Sequence, residues 1–282
     1  MRKESTIFAV FLLLFAASAA RAEIVRILDY HEQPPFNVLQ DLPGLPGLTA
    51  DVTTMLQAAE NDGLSYEAVV LSRVRLNRNL ESWISGNCPA EGVSCEDGWI
   101  VLWATPAWGW GEDADTRFRW VDLYPDANIL LAKPGIMVDP SRPSSFTGLT
   151  IAATRGHRLP PPLDRMVTEG LVARQDGEGT HALLKRVLSD RAEFTYIMRS
   201  TISFARRHRA DIATELQYVQ EVTTPLSSYM LQAMIPPTRP DLEARLRTLT
   251  ESPEWSKLLQ RYGVDATANH PVSHSPQRAG ER

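Results

Sequence analysis

The chain has 282 residues, of which 43 % are apolar, so it can bury the core of one large domain or of two ordinary ones. Its formal net charge is −5, with 29 Lys and Arg against 34 Asp and Glu. This composition excludes global disorder and disfavours a nucleic-acid partner, which would require a basic face.

The first 22 residues have the pattern of a secretory signal peptide. Arg2 and Lys3 precede an apolar run over 7–20, and Ala20 and Ala22 fit the small-x-small cleavage pattern. The alternative is a membrane anchor, but the run is shorter than the roughly 20 residues that span a bilayer. We therefore predict cleavage after Ala22, which would change the formal net charge to −7 because three basic residues and one acidic residue are removed.

The two cysteines of the chain lie seven residues apart in "GNCPAEGVSCEDG". An exported protein meets an oxidising compartment, where a disulfide between Cys88 and Cys95 would close a short loop and contribute about 2–3 kcal/mol. The alternative, a metal site, needs two more ligands, and no histidine lies nearby. We predict the disulfide and no metal.

Strand and helix signals alternate in the first part of the chain. An apolar strand over 24–29 ends in the proline-fixed turn "YHEQPPFNV", and a helix follows in "TADVTTMLQAAENDG", with Thr49 as its N-cap and Gly63 at its end. A strand in "LSYEAVVL" and a helix in "RVRLNRNLESWISGN" come next. The core side of this second helix is predicted to hold Val74, Leu76, Leu80, Trp83 and Ile84. This order is typical of a parallel sheet covered by helices.

The next segment, "DGWIVLWATPAWGWGEDAD", holds four of the seven tryptophans: Trp99, Trp103, Trp108 and Trp110. Tryptophan offers a large rigid face for a ring, a sugar or a cation, so Trp108 and Trp110 are candidates for the wall of a ligand site. The alternatives are that these side chains fill a core or contact a partner protein.

Strands are then predicted in "FRWVDLY" and "ANILLAKPG". After a joint rich in proline and serine, strands in "LTIAAT", "LVARQ", "AEFTYIM" and "LQYVQEV" alternate with helices in "PPPLDRMVTEG", "GTHALLKRVLSDR" and "STISFARRHRA". A strand in "SSYMLQAMI" and two helices in "TRPDLEARLRTLTESPEWSKLLQRYG" follow. The fold class predicted from this order is α/β with two lobes, each a mostly parallel sheet flanked by helices.

The predicted lobes are 23–132 together with 226–263, and 133–225, followed by a disordered tail over 264–282. Because the chain crosses between the lobes twice, the crossings would form a hinge with a cleft between the lobes. Such a cleft is a common site for a small ligand.

The order of these segments resembles the periplasmic solute-binding proteins of family 3, the polar amino-acid class. The similar segments cover about residues 23–263: "YHEQPPFNV", "GLTADVTTMLQAAE", "TRFRWVDLYPDANILLAKPG", "TGLTIAATRGH", "LSDRAEFTYIM" and "SPEWSKLLQRYG". The resemblance implies the two-lobed type II binding-protein fold and a periplasmic location. It also implies that a monomer without a cofactor captures a small amino-acid-like ligand or organic anion and delivers it to a membrane permease or sensor.

The resemblance also implies ligand contacts. In the family an arginine before the "VDLY"-like segment clamps the ligand carboxylate, and here Arg117 fits best, with Arg119 as a competitor. Glu193 is the nearest equivalent of the acidic residue that pairs with a ligand ammonium group. The tryptophan segment from Trp99 to Trp110 replaces the corresponding family sequence.

Side chains after strand ends and in the similar segments form the candidate ligand site. The predicted ligand-binding residues are Tyr30, Phe36, Arg75, Trp108, Arg117, Arg155 and Tyr196. The alternatives are packing of the lobe edge for Phe36 and Tyr30, a surface ion pair with Asp113 or Asp115 for Arg117, and a solvated helix start for Arg75. His31 is interpreted as a turn residue rather than a ligand group.

The sequence lacks G-x-S-x-G, H-E-x-x-H, P-loop and G-x-G-x-x-G motifs, so we predict a binding protein and not an enzyme. One alternative is a periplasmic lyase or dehydratase of the same fold, which would use Glu193 or His157 in the cleft. A second alternative is a sensory protein that binds a protein partner through exposed Trp103, Trp108 and Trp110.

Overall fold

The structure, a computed structural model, describes residues 22–38, 42–59, 63–87, 97–110 and 113–265. Both cysteines, the segment before Ala22 and the predicted tail beyond Asp265 lie outside these residues, so the disulfide, the signal peptide and the tail stay predictions. Val264, at the predicted start of the tail, is buried in a core cluster. None of the described helices has the length and apolar content to cross a membrane.

Nine strands occur within the described residues: β1 Glu23–Asp29, β2 Leu64–Val70, β3 Trp99–Ala104, β4 Arg119–Ala132, β5 Thr150–Thr154, β6 Ala173–Gly177, β7 Phe194–Met198, β8 Gln220–Glu221 and β9 Ser227–Ile235. The described α-helices are α1 Leu48–Ala58, α2 Arg73–Ile84, α3 Ala114–Arg117, α4 Pro161–Thr168, α5 Gly179–Leu188, α6 Arg199–His208, α7 Ala210–Glu215, α8 Pro240–Thr250 and α9 Pro253–Arg261.

The strands form two parallel groups joined by an antiparallel pair. The order is β2-β1-β3-β9-β4-β7-β5-β6, with β8 paired to β4. Strands β2, β1 and β3 run parallel to one another, as do β7, β5 and β6. The antiparallel pair β4 and β9 lies between the groups and belongs to both halves of the molecule.

Helices cover both faces of each half. In the first half, buried residues of α1, α8 and α9 pack on one face, whereas α2 packs on the other. In the second half, α4 covers one face, and α5, α6 and α7 cover the other. The last two helices therefore pack on the first half, although they follow the second half in sequence.

Strand β4 replaces two of the predicted strands. "FRWVDLY" and "ANILLAKPG" form one strand of 14 residues, and Pro125 within it is paired with Met230 of β9. All of its residues from 123 to 132 are buried, which stabilises the strand through Pro125. The register with β9 shifts between Asp122 and Tyr124, just before the proline.

Three local predictions were wrong. Gly47, not Thr49, is the N-cap of α1, and Thr49 lies inside the helix. The strand predicted in "LQYVQEV" forms a 3-10 turn over Leu216–Tyr218 and the two-residue strand β8 instead, because Leu216 is buried and continues the helical spacing of Ile212 in the preceding α7. On α2, Val74 and Ile84 are 60 % and 38 % exposed instead of facing the core.

The first prediction concerns Gly47, whose φ of 118° is accessible mainly to glycine. A Cβ at this position would lie 2.5 Å from the carbonyl oxygen of Phe36. We expect Gly47→Ala to lower the free energy of unfolding by about 2–4 kcal/mol, measured by urea denaturation.

Gly44→Ala is the matched control, because Gly44 also has a positive φ of 75° but no atom lies within 4 Å of its added Cβ. It should cost only about 1–2 kcal/mol. Equal losses in the two variants would contradict a steric role for Gly47.

Candidate functional site

A cavity of about 880 Å³ lies between the two halves. It is lined by the turn after β1, the start of α2, the loop after β3, the loop after β5, the start of α5 and the crossing strands β4 and β9. The turn and loops follow the carboxyl ends of parallel strands, where ligands bind in open α/β sheets.

The turn after β1 is held by the buried carboxylate of Asp29. This group accepts hydrogen bonds from the backbone N–H of His31 at 2.8 Å, from Asn37 Nδ2 at 3.0 Å and from the hydroxyl of Thr49 at 2.6 Å. Burial raises the pKa of Asp29 to about 7, against the opposing effect of the hydrogen bonds from Thr49 and His31. The turn is therefore fixed by a buried acid as well as by its prolines.

Trp103 connects this turn to β3. Its φ of 60° is unusual for a bulky residue, and it lies where the pairing of β3 with β9 is irregular. Its carbonyl oxygen accepts a hydrogen bond from the hydroxyl of Tyr30 at 3.1 Å and lies 2.9 Å from His31 Nε2, while its indole donates to Thr49 at 2.9 Å. Two of the cavity residues of the turn, Tyr30 and His31, are thus oriented by one carbonyl group.

The contact with that carbonyl assigns the proton of neutral His31 to Nε2. Burial lowers the pKa of His31 to about 3, so the ring is uncharged at neutral pH. Its ring lies between those of Tyr30 and Phe36, with centroid distances of 4.2 and 4.6 Å. Nδ1 is a buried acceptor with no partner among the described residues.

Arg73, the first residue of α2, presents a half-buried guanidinium group to the cavity. The Cζ atom of this group lies 3.6 Å from the ring centroid of Trp110 and 5.1 Å from that of Tyr30. Its Nε donates to Asn77 at 2.9 Å, and its Nη2 donates to the carbonyl of Trp108 at 2.8 Å. Burial, more than any other influence, lowers the pKa of Arg73.

Arg158, in the loop after β5, approaches the same segment from the second half. Gly109 has a φ of 72°, and a Cβ at this glycine would lie only 3.0 Å from Arg158 Nη1. A side chain at position 109 would therefore contact this guanidinium group and require it to shift.

Two further residues of the second half line the cavity beside Arg158. Burial, with smaller effects of Arg73 and Arg174, lowers the pKa of His157 to about 4. The hydroxyl of Tyr196, on β7, donates to the carbonyl of Arg158 at 3.3 Å. These groups give the second half a neutral imidazole and an aromatic ring at the cavity.

Side chains of the two halves meet directly at one end of the cavity. The hydroxyl of Thr180, at the start of α5, donates to Gln33 Oε1 at 2.6 Å. Gln33 Nε2 lies 3.8 Å from the sulfur of Met198, at the end of β7. At the crossing strands, Asn128 donates to Ser227 at 3.0 Å and accepts from the hydroxyl of Tyr229 at 3.1 Å.

Three of the seven predicted ligand-binding residues line the cavity: Tyr30, Trp108 and Tyr196. The other four are not brought to it. Phe36 is fully buried in the core behind His31, and Arg75 is exposed on another face of α2 than Arg73. Arg117 lies in α3, outside the lining, and Arg155 is 70 % exposed and lies 3.5 Å from Glu178.

The residues considered as alternatives are also accounted for. Arg119 forms an ion pair with Glu243 at 2.7 Å. Glu193 accepts from the backbone N–H of Thr150 at 2.8 Å and lies 3.6 Å from Lys133, so it is not in the cavity.

The tryptophan segment does not form an exposed patch. Trp99, Trp103 and Trp110 are buried, and the half-buried Trp108 lines the cavity. The interpretation of this segment as a partner-binding surface was therefore wrong. Within the described residues, no cluster of three or more His, Cys, Asp or Glu side chains could hold a metal ion.

Sequence reasoning missed Arg73, His31 and Arg158 as cavity residues, and it placed His157 in the cleft only for the alternative lyase. A signal was present for each, because all four follow strand ends. His31 was assigned to the turn, and the two arginines were passed over for Arg75 and Arg155, their neighbours in the same segments.

No family model and no curated protein matches the sequence. Solved structures do match. A mutant of ArgBP from T. maritima has a TM-score of 0.60 at 13 % identity, over 85 % of this chain and 94 % of that one. The putative binding component of an ABC transporter from Wolinella succinogenes, complexed with lysine, has a TM-score of 0.59 at 15 % identity, over 86 % and 97 % of the two chains.

The GluR0 ligand-binding core from Nostoc punctiforme, in complex with L-glutamate, matches with a TM-score of 0.58 at 13 % identity, over 85 % of this chain and 98 % of that one. The chain has the two-lobed fold of the type II periplasmic binding proteins. The predicted fold class is confirmed, and the structural neighbours are amino-acid-binding proteins of the kind that the sequence resembles.

A second prediction follows from the buried Asp29. Its folded-state pKa is raised, so the stability that it contributes is fully present below about pH 4 and is lost as the pH rises through 7. The side-chain amide of Asp29→Asn does not ionise, so this variant lacks the pH-dependent loss. Between pH 4 and pH 8, the free energy of unfolding of this variant should therefore gain about 3–4 kcal/mol relative to the unsubstituted protein, measured by urea denaturation.

Asp126→Asn is the control, because burial raises the pKa of Asp126 only to about 6. The free energy of unfolding that Asp126→Asn gains relative to the unsubstituted protein should be smaller, and the gain should be complete about one pH unit lower. If both variants follow the unsubstituted protein at every pH, Asp29 is already charged in the fold and the prediction is wrong.

Proposed function

We propose that the protein is an exported solute-binding protein that captures a small polar ligand, amino-acid-like or an organic anion, between its two lobes. The observation that carries this proposal is the cavity, to which both halves contribute polar and aromatic side chains at the ends of parallel strands. The structural neighbours support it, since they include proteins solved with lysine, arginine and glutamate.

In this proposal lobe 1 comprises 23–132 with 226–263, lobe 2 comprises 133–225, and β4 and β9 act as the hinge. A ligand that contacts both lobes stabilises the closed arrangement, because its affinity for that arrangement is higher. The hydrogen bond between Thr180 and Gln33 supports this mode of closure, since it joins the two halves beside the cavity.

The proposal includes removal of the signal peptide after Ala22, a periplasmic location, a Cys88–Cys95 disulfide and a monomeric state. The closed protein would deliver its ligand to a membrane permease or present it to a sensor. Support for the transport role comes from neighbours that are described as binding components of ABC transporters.

We also propose that the protein is not catalytic, but one observation favours a lyase or dehydratase as a second candidate. His157 lines the cavity, and its lowered pKa keeps the ring neutral and able to accept a proton. Mass spectrometry of the ligand after incubation distinguishes the two functions: a binding protein returns it unchanged, whereas conversion that is lost in His157→Gln would indicate an enzyme.

A thermal-shift screen of the mature protein tests the binding function. The screen covers amino acids, organic acids, sugars and amines, and a ligand at 100 times its Kd should add about 2.7 kcal/mol of stability and raise Tm. Failure of every class to raise Tm would contradict the proposal.

The same ligand gives a prediction for closure. Thr180→Ala removes the hydrogen bond between the lobes and should weaken binding about fivefold, since such a bond contributes about 1 kcal/mol. Thr214→Ala is the matched control, because its hydroxyl donates only within α7, to the carbonyl of Ala210. Equal affinities of the two variants, by isothermal titration calorimetry, would argue against Thr180 as a closing contact.

A further inference from the structure

We infer that the cavity binds the carboxylate of an organic acid between Arg73 of lobe 1 and Arg158 of lobe 2, and that it favours acids without an ammonium group over free amino acids. This inference rests on the proposed binding function and names the ligand class for it. It assigns anion binding to two arginines that the family resemblance did not indicate.

The two guanidinium groups converge on one peptide segment. Arg73 donates to the carbonyl of Trp108, and Arg158 Nη1 lies against the next residue, Gly109. Since one arginine comes from each lobe, a ligand that contacts both is held only when the lobes are closed. This arrangement couples anion binding directly to closure.

Neither arginine has a carboxylate partner within the part of the chain that the structure describes. The hydrogen-bond acceptors of Arg73 are the neutral oxygens of Asn77 and Trp108, and its other support is the face of Trp110. Two like charges at close range repel each other, and a bound anion removes this repulsion. A carboxylate also matches the planar donor geometry of a guanidinium group.

The distribution of acidic groups argues against an ammonium site. The charged side chains of the lining are Arg73, Arg158, Arg165, Glu81 and Asp164, and none of them forms an ion pair with another described residue. Arg73 is half-buried, whereas both carboxylates are exposed and therefore screened by water. The buried imidazole of His31 is uncharged and therefore provides no counter-charge for an ammonium group.

Glu193, the sequence candidate for an ammonium partner, is occupied outside the cavity by Lys133 and by the backbone of Thr150. An ammonium group placed beside Arg73 and Arg158 would thus lie next to two positive charges without a buried carboxylate among the lining residues. An acid that carries hydrogen or a hydroxyl at that position avoids this cost.

The aromatic lining fits the body of such an acid. Tyr30, Trp108, Tyr196 and Tyr229 line the cavity around the two arginines. Apolar and aromatic walls with few charged groups are typical of sites for small organic ligands.

The first experiment compares matched compounds by isothermal titration calorimetry on the mature protein. For each of four skeletons, those of alanine, leucine, glutamate and phenylalanine, it measures the amino acid, the hydroxy acid, the deaminated acid and the decarboxylated amine. For every skeleton that binds, we expect the Kd of at least one of the two acids without nitrogen to be at least about tenfold lower than that of the amino acid.

Tighter binding of the amino acid or of the amine would overturn the inference and leave the solute-binding function standing. A sugar as the sole ligand class in the thermal-shift screen would have the same meaning. If no compound of any class binds, both the inference and the proposed function fail.

The second experiment tests the two arginines with controls from the same segments. Arg158→Gln should weaken binding of the best acid by at least about tenfold, because a charge-assisted contact is lost. Arg155→Gln, three residues away and outside the cavity, should leave affinity unchanged. Arg158 is exposed, so its replacement is not expected to affect folding.

Arg73→Gln should weaken binding at least as much, with Arg75→Gln as its control on the exposed face of α2. Since Arg73 also packs on Trp110, its variant is interpreted together with its unfolding free energy. Affinity losses no larger in Arg158→Gln and Arg73→Gln than in the two controls would overturn the assignment of the anion site.

Discussion

The buried carboxylate of Asp29 determines how the first half presents its side chains to the cavity. It fixes the turn after β1 through the backbone of His31 and fixes α1 through Thr49. The same threonine receives the indole N–H of Trp103, whose carbonyl oxygen orients Tyr30 and contacts His31. A carboxylate that is expensive to bury is therefore retained at the junction of three elements, where its several lone pairs satisfy donors that apolar residues could not.

The crossing strands give the second constraint. Because β4 is hydrogen-bonded to β9 along its first part and to β7 along its second, the halves cannot separate without bending one continuous strand. Polar side chains concentrate there: Asn128 pairs with Ser227 and Tyr229, and Asp126 accepts from the hydroxyl and backbone N–H of Ser200. The crossing is thus both a mechanical link and the floor of the cavity.

Sequence reasoning was sufficient for the α/β order and for two aromatic residues at the cavity, Tyr30 directly after β1 and Tyr196 within β7. It failed where two local rules compete. Pro125 normally ends a strand, but burial of the surrounding apolar residues carries β4 through it. It failed also for the arginines of "RVRLNR". Side chains two residues apart on a helix point in directions that differ by about 200°, and the sequence does not reveal which arginine faces inward. Only the packing of Arg73 against Trp110 decides this.

The tryptophan segment explains why the anion site differs from the one that the family resemblance implied. Trp110 is buried and supports the guanidinium plane of Arg73, while the carbonyl of Trp108 accepts one of its N–H groups. Gly109 between them leaves space for Arg158. We therefore assign the contact with the ligand carboxylate, which was expected of Arg117, to Arg73 and Arg158 on opposite lobes. Arg117 itself lies outside the lining. The segment that set this chain apart in sequence is therefore the segment that builds its site, since it supplies a flat surface, an acceptor and a gap within three residues.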